Sequence, residues 1–197
     1  SRVQASSRLT GAQAAQRLLS TGSMYGVKIQ GVAGNLTDHY DPRDKTLYLS
    51  PGVANVASVA SVAIAAHELG HAMQDAEDYL PLRFRSALVP VVNIGSNLGW
   101  ILIMIGLFLR LTNLAWLGII IFAGGALFAL ATLPVEFNAS ARAKQLLVQT
   151  GIIQTDEEQR GVNAVLNAAA LTYVAGLVTA ILQLLYYVSL VGGGRRR

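Results

Sequence analysis

The chain is 197 residues long, with a net charge of +4, 53% hydrophobic residues and 13% charged ones, a mean hydropathy of +0.46 and a pI of about 9.6. That balance excludes an ordinary soluble globular domain and fits a modest soluble portion plus a few membrane spans. The absence of cysteine excludes disulfide frameworks, thiolate metal sites and cysteine nucleophiles, and the scattered basic residues argue against a nucleic-acid partner.

In chain order, "LTGAQAAQRLL" puts Leu9, Ala12, Leu18 and Leu19 on one helical face with Thr10 as the candidate N-cap, and the helix should stop at "STGS". No charged region followed by an apolar one opens the chain, so no signal peptide is expected in it. "YGVKIQGV" and "KTLYLS" lean towards strand, and the "AGNLTDHYDPRD" between them is turn chemistry, which predicts a small β ribbon. "TLYLS" is expected to be an edge strand, able to take up an extended substrate backbone by strand addition. From Pro51, "PGVANVASVASVAIAAHELGHAMQDAEDY" predicts one long helix, with proline at its start and valines at three-residue spacing. The charged "DAEDYLPLRFR" closes this soluble part.

Three uncharged runs follow, Leu88 to Leu109, Leu114 to Leu133 and Leu166 to Val191, each long enough for the roughly 20 residues that a bilayer core requires. The first two are separated by "RLTN" and form a hairpin; Asn167, Thr172 and Gln183 in the third suggest a face turned towards protein. Trp100, Trp116, Tyr186 and Tyr187 lie within or towards the ends of these runs, as interfacial aromatics do. Pro134 is expected to begin a further helix. The resulting expectation is a mainly α membrane protein: a zincin-like HExxH helix with a small β ribbon, plus three transmembrane helices. Its segments are a soluble region with the long helix (1–87), a hairpin (88–133), a further helix (134–163) and a third span with a basic tail (164–197).

The chemistry gathers in "IAAHELGHAMQD". His67 and His71 are four apart, so on a helix both can aim a ring nitrogen at one ion. Glu68 lies about 100° round the helix from His67 and can reach a water beside that ion without being a ligand. Gly70 costs the helix roughly 1 kcal/mol against alanine, which a close neighbour would explain. A hydrolytic zinc takes three protein ligands and keeps one open position. His39 is the one remaining histidine, so the third ligand is either His39 or a carboxylate. Glu136, in "TLPVEFNASARAK", is the better candidate, because a carboxylate beside an apolar run needs a partner; pairing with Arg142 or Lys144 is the alternative. Two spans between His71 and Glu136 return the chain to one side of the membrane, as such a site requires.

"HYDPRDKTLYLSP", "VAIAAHELGHAMQ" and "LPVEFNASARA", in that order and with two apolar spans before the last, resemble the YugP-type family of membrane zinc metallopeptidases from about Leu9 to the last span. The resemblance implies an integral membrane zinc endopeptidase, with His67, His71 and Glu136 at the Zn2+ ligand positions and Glu68 as catalytic base. Members of that family carry a further span upstream of the region matching Ser1, so the chain is expected to be truncated or processed. Zinc peptidases with a glutamate third ligand often place an aspartate four residues later; here that position is Ser140, which puts the outer shell in question.

The reaction such a site supports is metal-assisted amide hydrolysis of proteins or peptides at the membrane surface, with Glu68 moving the proton from water to the leaving amine. His39, Tyr40, Tyr25 and Arg142 are the candidates to bind the developing oxyanion, His39 and Tyr40 being favoured. The rival readings are a non-catalytic metal-binding membrane scaffold or assembly partner, against which the intact Glu68 argues, and a transporter, for which three uncharged spans offer little path. The expected partners are a protein or peptide substrate and the lipid bilayer, with a membrane-protein partner or oligomer possible. Eleven of the fifteen basic residues, among them Arg83, Arg85, Arg142, Lys144 and Arg160, fall on the side of the site. Positive-inside bias therefore turns the site to the cytoplasm, in the plasma membrane of a prokaryote; the "RRR" tail counts the other way.

Overall fold

A computed structural model describes residues 4–21, 24 and 26–193 of the chain, with nothing described of the Val91 side chain. The elements run α1 (Gly11–Thr21), β1 (Lys28–Gly31), β2 (His39–Asp41), β3 (Thr46–Leu49), α2 (Pro51–Ala54), α3 (Val59–Ala76), α4 (Leu80–Phe108), α5 (Thr112–Gln149) and α6 (Asp156–Gly193). They group into two compact units, Ser1–Tyr79 with Glu136–Ala170, and Leu80–Val135 with Leu171–Arg197.

In the first unit, α1 starts where the sequence puts it. Thr10 Oγ1 accepts from the Gln13 amide at 3.3 Å while Gln13 Oε1 accepts from the Thr10 amide at 3.0 Å, a reciprocal cap that satisfies two amides no helical carbonyl can reach. Its buried face, Ala14, Ala15 and Leu18, joins a core with Leu47 and Leu49 of β3, Val59, Val62 and Leu69 of α3, Leu147 of α5 and Leu166 of α6. The predicted ribbon is a three-stranded sheet ordered β1-β3-β2, with β1 parallel and β2 antiparallel to β3. "TLYL" is therefore the central strand and not the expected edge. Thr46, Leu47 and Leu49 are buried, and burial favours the strand whose backbone groups are paired on both sides. "HYD", read as turn, is the second strand. The turn proper is Pro42 to Lys45, where Asp41 Oδ1 accepts from the Arg43 amide at 2.9 Å and Asp44 Oδ1 from the Thr46 amide at 3.0 Å, each side chain standing in for a backbone acceptor.

The single long helix expected from Pro51 is two helices. Ser58 is extended (φ −135°, ψ 156°) and its Oγ accepts from the Ser61 amide at 3.1 Å. A serine able to cap its own downstream amide offers the backbone an alternative to continuing the helix. After α3, Asp78 takes a left-handed φ of 51° and the Tyr79 amide returns to the Gln74 carbonyl at 2.9 Å, which closes the helix end. At the start of α6, Glu158 is buried and accepts from the Thr155 and Gln154 amides, and from the Ser6 amide at 2.6 Å.

The second unit is helical. α5 and α6 are each long and apolar enough to cross a membrane, and α4 makes a third if its halves Leu80–Pro90 and Val92–Phe108, bent by 47°, count as one span; proline at position 90 accounts for the bend. α4 and α5 meet at glycine. A Cβ on Gly99 would stand 2.7 Å from the Phe122 nitrogen and 2.9 Å from the Gly118 carbonyl oxygen, so small residues are what let the two backbones touch. Tyr187 of α6 meets the Phe122 ring edge-on at 5.3 Å. Ile94, Ile120, Leu130, Leu182 and Leu185 are exposed, far more apolar surface than a water-soluble helix hairpin shows. Asn167, Thr172 and Gln183 are all exposed, and Asn167, in the first unit, accepts from Lys144 at 3.4 Å. Pro134 does not start a helix: α5 runs through it. The missing N–H removes one bond to the carbonyl four residues back, and the strong helix formers on both sides carry the helix across.

Candidate metal centre

α3 and the second half of α5 cross at Gly70. A Cβ there would lie 2.5 Å from the Ala139 carbonyl oxygen and 3.0 Å from its Cα and carbonyl carbon. The helix-weakening glycine of "HELGH" thus has the close neighbour the sequence called for, and that neighbour is the Ala139 backbone. On α5 the side chains facing this contact are Glu136, Ala139, Ser140 and Ala143, all buried and spaced at three and four, one helical face.

The crossing brings together three donors, His67, His71 and Glu136, whose ligand atoms all lie within 4.8 Å of one another. Glu136 Oε2 is 3.2 Å from His67 Nε2 and 3.6 Å from His71 Nε2, and the two rings stand edge-on at 4.9 Å. Two atoms bound at 2.0–2.1 Å to a tetrahedral ion are separated by about 3.3 Å, so the spacing suits zinc. The hydrogen bonding agrees. Gln74 Oε1 lies 3.0 Å from His71 Nδ1, and a carbonyl oxygen can only accept, so the ring N–H of neutral His71 sits on Nδ1. Its Nε2 then presents a lone pair towards a carboxylate oxygen, an opposition that a divalent cation reconciles. His67 Nδ1 meets Ser140 Oγ at 3.2 Å. Each histidine thus has one nitrogen held from behind and the other turned to the common point, the usual way a metal-binding imidazole is oriented.

Glu68 is half-buried on α3, and burial raises its carboxyl above the usual carboxylate range against the pull of His71 and His67. Burial alone would push the His71 imidazole down, but a hydrogen bond to the Glu136 carboxylate and the nearby Glu68 charge outweigh it, and the net direction is up.

Of the other candidates, His39, Tyr40 and Arg142 have partners of their own. His39, on β2, is exposed, stacks on Tyr48 at 4.8 Å and holds the Thr37 carbonyl through Nδ1 at 2.7 Å; it is not among the converging donors. The Tyr40 hydroxyl donates to Asp75 Oδ2 at 3.0 Å and braces the sheet against the end of α3. Arg142 clamps Glu77 with NH1 and NH2 at 2.8 and 2.7 Å, lies 5.8 Å from the centre of the Tyr79 ring and donates from Nε to Asn138 Oδ1 at 2.7 Å. Tyr25 falls outside the described residues. The sequence reading passed over Gln74 and Asn138. Gln74 had a signal, a polar residue three after His71 in an alanine-rich run; Asn138 had none short of the fold.

Residues 1–192 match the family described as "Putative neutral zinc metallopeptidase". The chain is 46% identical over 195 residues to a Bacillus subtilis (strain 168) protein named "Putative membrane protease YugP", an alignment covering 99% of this chain and 86% of that protein. No solved structure matches it.

Proposed function

The chain belongs to this family of neutral zinc metallopeptidases, and from that premise we propose that it is an integral membrane, zinc-dependent endopeptidase acting on proteins or peptides at the membrane surface. The observation that carries the proposal is the convergence of His67, His71 and Glu136 on one point with Glu68 on the adjoining helix face. His67 and His71 would hold the ion through Nε2 and Glu136 through its carboxylate. Zinc bound there would supply a Lewis acid that lowers the pKa of a water towards about 7 and polarises the scissile carbonyl. Glu68 takes the proton from the attacking water and delivers it to the leaving amine; its burial supports this, because a base must retain proton affinity to do both. Gln74 and Ser140 keep the imidazoles aimed. For the developing oxyanion, His39 carries the proposal ahead of Tyr40, whose hydroxyl proton is already given to Asp75. With Nδ1 turned to the Thr37 carbonyl, His39 can donate from Nε2 when the ring is protonated.

Purified protein is expected to hold about one zinc per chain. His67→Ala and His71→Ala should abolish it, and Glu136→Gln should weaken binding by more than the roughly 10–100-fold that loss of an outer partner costs. Metal analysis after dialysis reads this directly, and full occupancy in either alanine variant rejects the site.

In this reading the active site faces the cytoplasm, which the basic residues flanking the spans support. The chain has no cysteine, so a single introduced thiol reports its own side. In intact cells, cysteine in place of the exposed Gln145 should resist an impermeant thiol reagent, and cysteine in place of the exposed Leu111 should react. The reverse pattern would make this an outward-facing enzyme.

A further inference from the structure

We infer that Arg142 fixes the tautomer of His71 through two intervening amides and thereby sets how tightly the centre holds its metal; the inference rests on the zinc peptidase reading for the identity of the ion. The relay is built from two helix faces. α3 contributes His71 and Gln74, three apart, with Glu77 three further on at its C-cap, and α5 contributes Asn138 and Arg142 four apart.

Its polarity follows from donor chemistry alone. A guanidinium has five N–H donors and no acceptor, so the Asn138 atom that Arg142 Nε meets at 2.7 Å must be the carbonyl oxygen. That oxygen also accepts from Gln74 Nε2 at 3.0 Å. The Gln74 amide is thereby oriented, nitrogen towards Asn138 and oxygen towards His71 Nδ1 at 3.0 Å. A neutral imidazole facing a carbonyl oxygen through Nδ1 carries its proton there, which leaves Nε2 as the lone pair on the Glu136 side. Gln74 is fully buried. Arg142 is itself fixed by the two-pronged pair with Glu77, a geometry that lysine could not reproduce. His67 has no such constraint, because the Ser140 hydroxyl it meets can donate or accept. The orientation of the centre is therefore dictated at one histidine.

Without the guanidinium, both amides can turn over. Gln74 would then present its NH2 to Nδ1 and favour the tautomer with its proton on Nε2, where the metal must bind. Arg142 is a positioning residue in this scheme, and Asn138 separates it from simple packing. Asn138→Asp keeps an acceptor for both donors and preserves the polarity; Asn138→Leu breaks it.

The test uses the full chain in detergent with 15N-labelled histidine, which is tractable because there are three histidines. Long-range proton–nitrogen correlations of the metal-free protein, at a pH high enough that His71 is neutral, report which ring nitrogen is protonated, and chelator competition with zinc alone reports affinity. Wild type and Asn138→Asp should show His71 protonated on Nδ1 and similar zinc affinity. Arg142→Met and Asn138→Leu should shift the proton to Nε2 and weaken zinc by roughly 10–100-fold, as loss of an outer partner does. An unchanged tautomer and affinity in Arg142→Met overturns the inference, as does equal weakening by Asn138→Asp and Asn138→Leu. Should Arg142→Met fail to fold, the Asn138 pair gives the same contrast. Neither readout requires turnover, so absence of peptidase activity would overturn the proposed function and leave the relay standing.

Discussion

Glu68→Gln is expected to retain about one zinc per chain and to cleave a peptide reporter roughly 10²–10⁴-fold more slowly, the usual contribution of a positioned proton-transfer group. Glu68 is not among the three donors that converge on the metal position, so binding should survive its loss. The amide is nearly isosteric and keeps the half-buried site filled, but it cannot accept a proton from water. Zinc content and rate should therefore separate in this variant, whereas they fall together in His67→Ala. Undiminished cleavage would remove Glu68 from the mechanism. A wild-type protein that holds zinc and cleaves nothing would favour the metal-binding scaffold.

Gly70→Ala is expected to act against ordinary helix propensity. In an exposed helix, alanine for glycine gains about 1 kcal/mol. Here the added carbon meets the Ala139 carbonyl oxygen at 2.5 Å, and because that atom is backbone it cannot rotate away. α3 and α5 must part by about 1 Å to restore normal contact, at a cost of about 1–3 kcal/mol for overpacking. The ligands sit astride this crossing, so the 3.2 and 3.6 Å separations of Glu136 from His67 and His71 widen with it. Zinc affinity should drop at least about tenfold, and peptide cleavage by roughly 10²-fold, as a displacement of about 1 Å can produce. Chelator competition and thermal unfolding with and without zinc measure both effects. Wild-type affinity in Gly70→Ala would show that the crossing tolerates a side chain and that the glycine has another cause.

Some of the site was legible because the signals are short in sequence. His67, Glu68 and His71 declare themselves through helical spacing, and Thr10 announces α1 because a cap acts within three residues. Glu136 stood out as a carboxylate beside a long apolar run, and the pair of spans made its return to His71 geometrically allowed. The signals that failed were also local, but two structures competed for them. Ser58 could have continued a helix or capped one, and the capped form is adopted. Pro134 could have begun a helix, yet α5 has helix formers on both sides and runs through it.

By itself the sequence determined the helical spacing of His67, Glu68 and His71, a second carboxylate segment, and apolar runs of membrane-spanning length, all set by periodicities of a few residues. The tertiary structure decided which elements touch. It made β3 the central strand, because sheet order depends on pairing between distant segments. It put Ser140 behind His67 across 73 residues and Gln74 against Asn138 across 64, and it gave Gly70 its reason in the Ala139 backbone. Spacing along one helix fixes the face a side chain occupies, but the partner opposite that face depends on how two helices pack, and packing is chosen by the whole core at once.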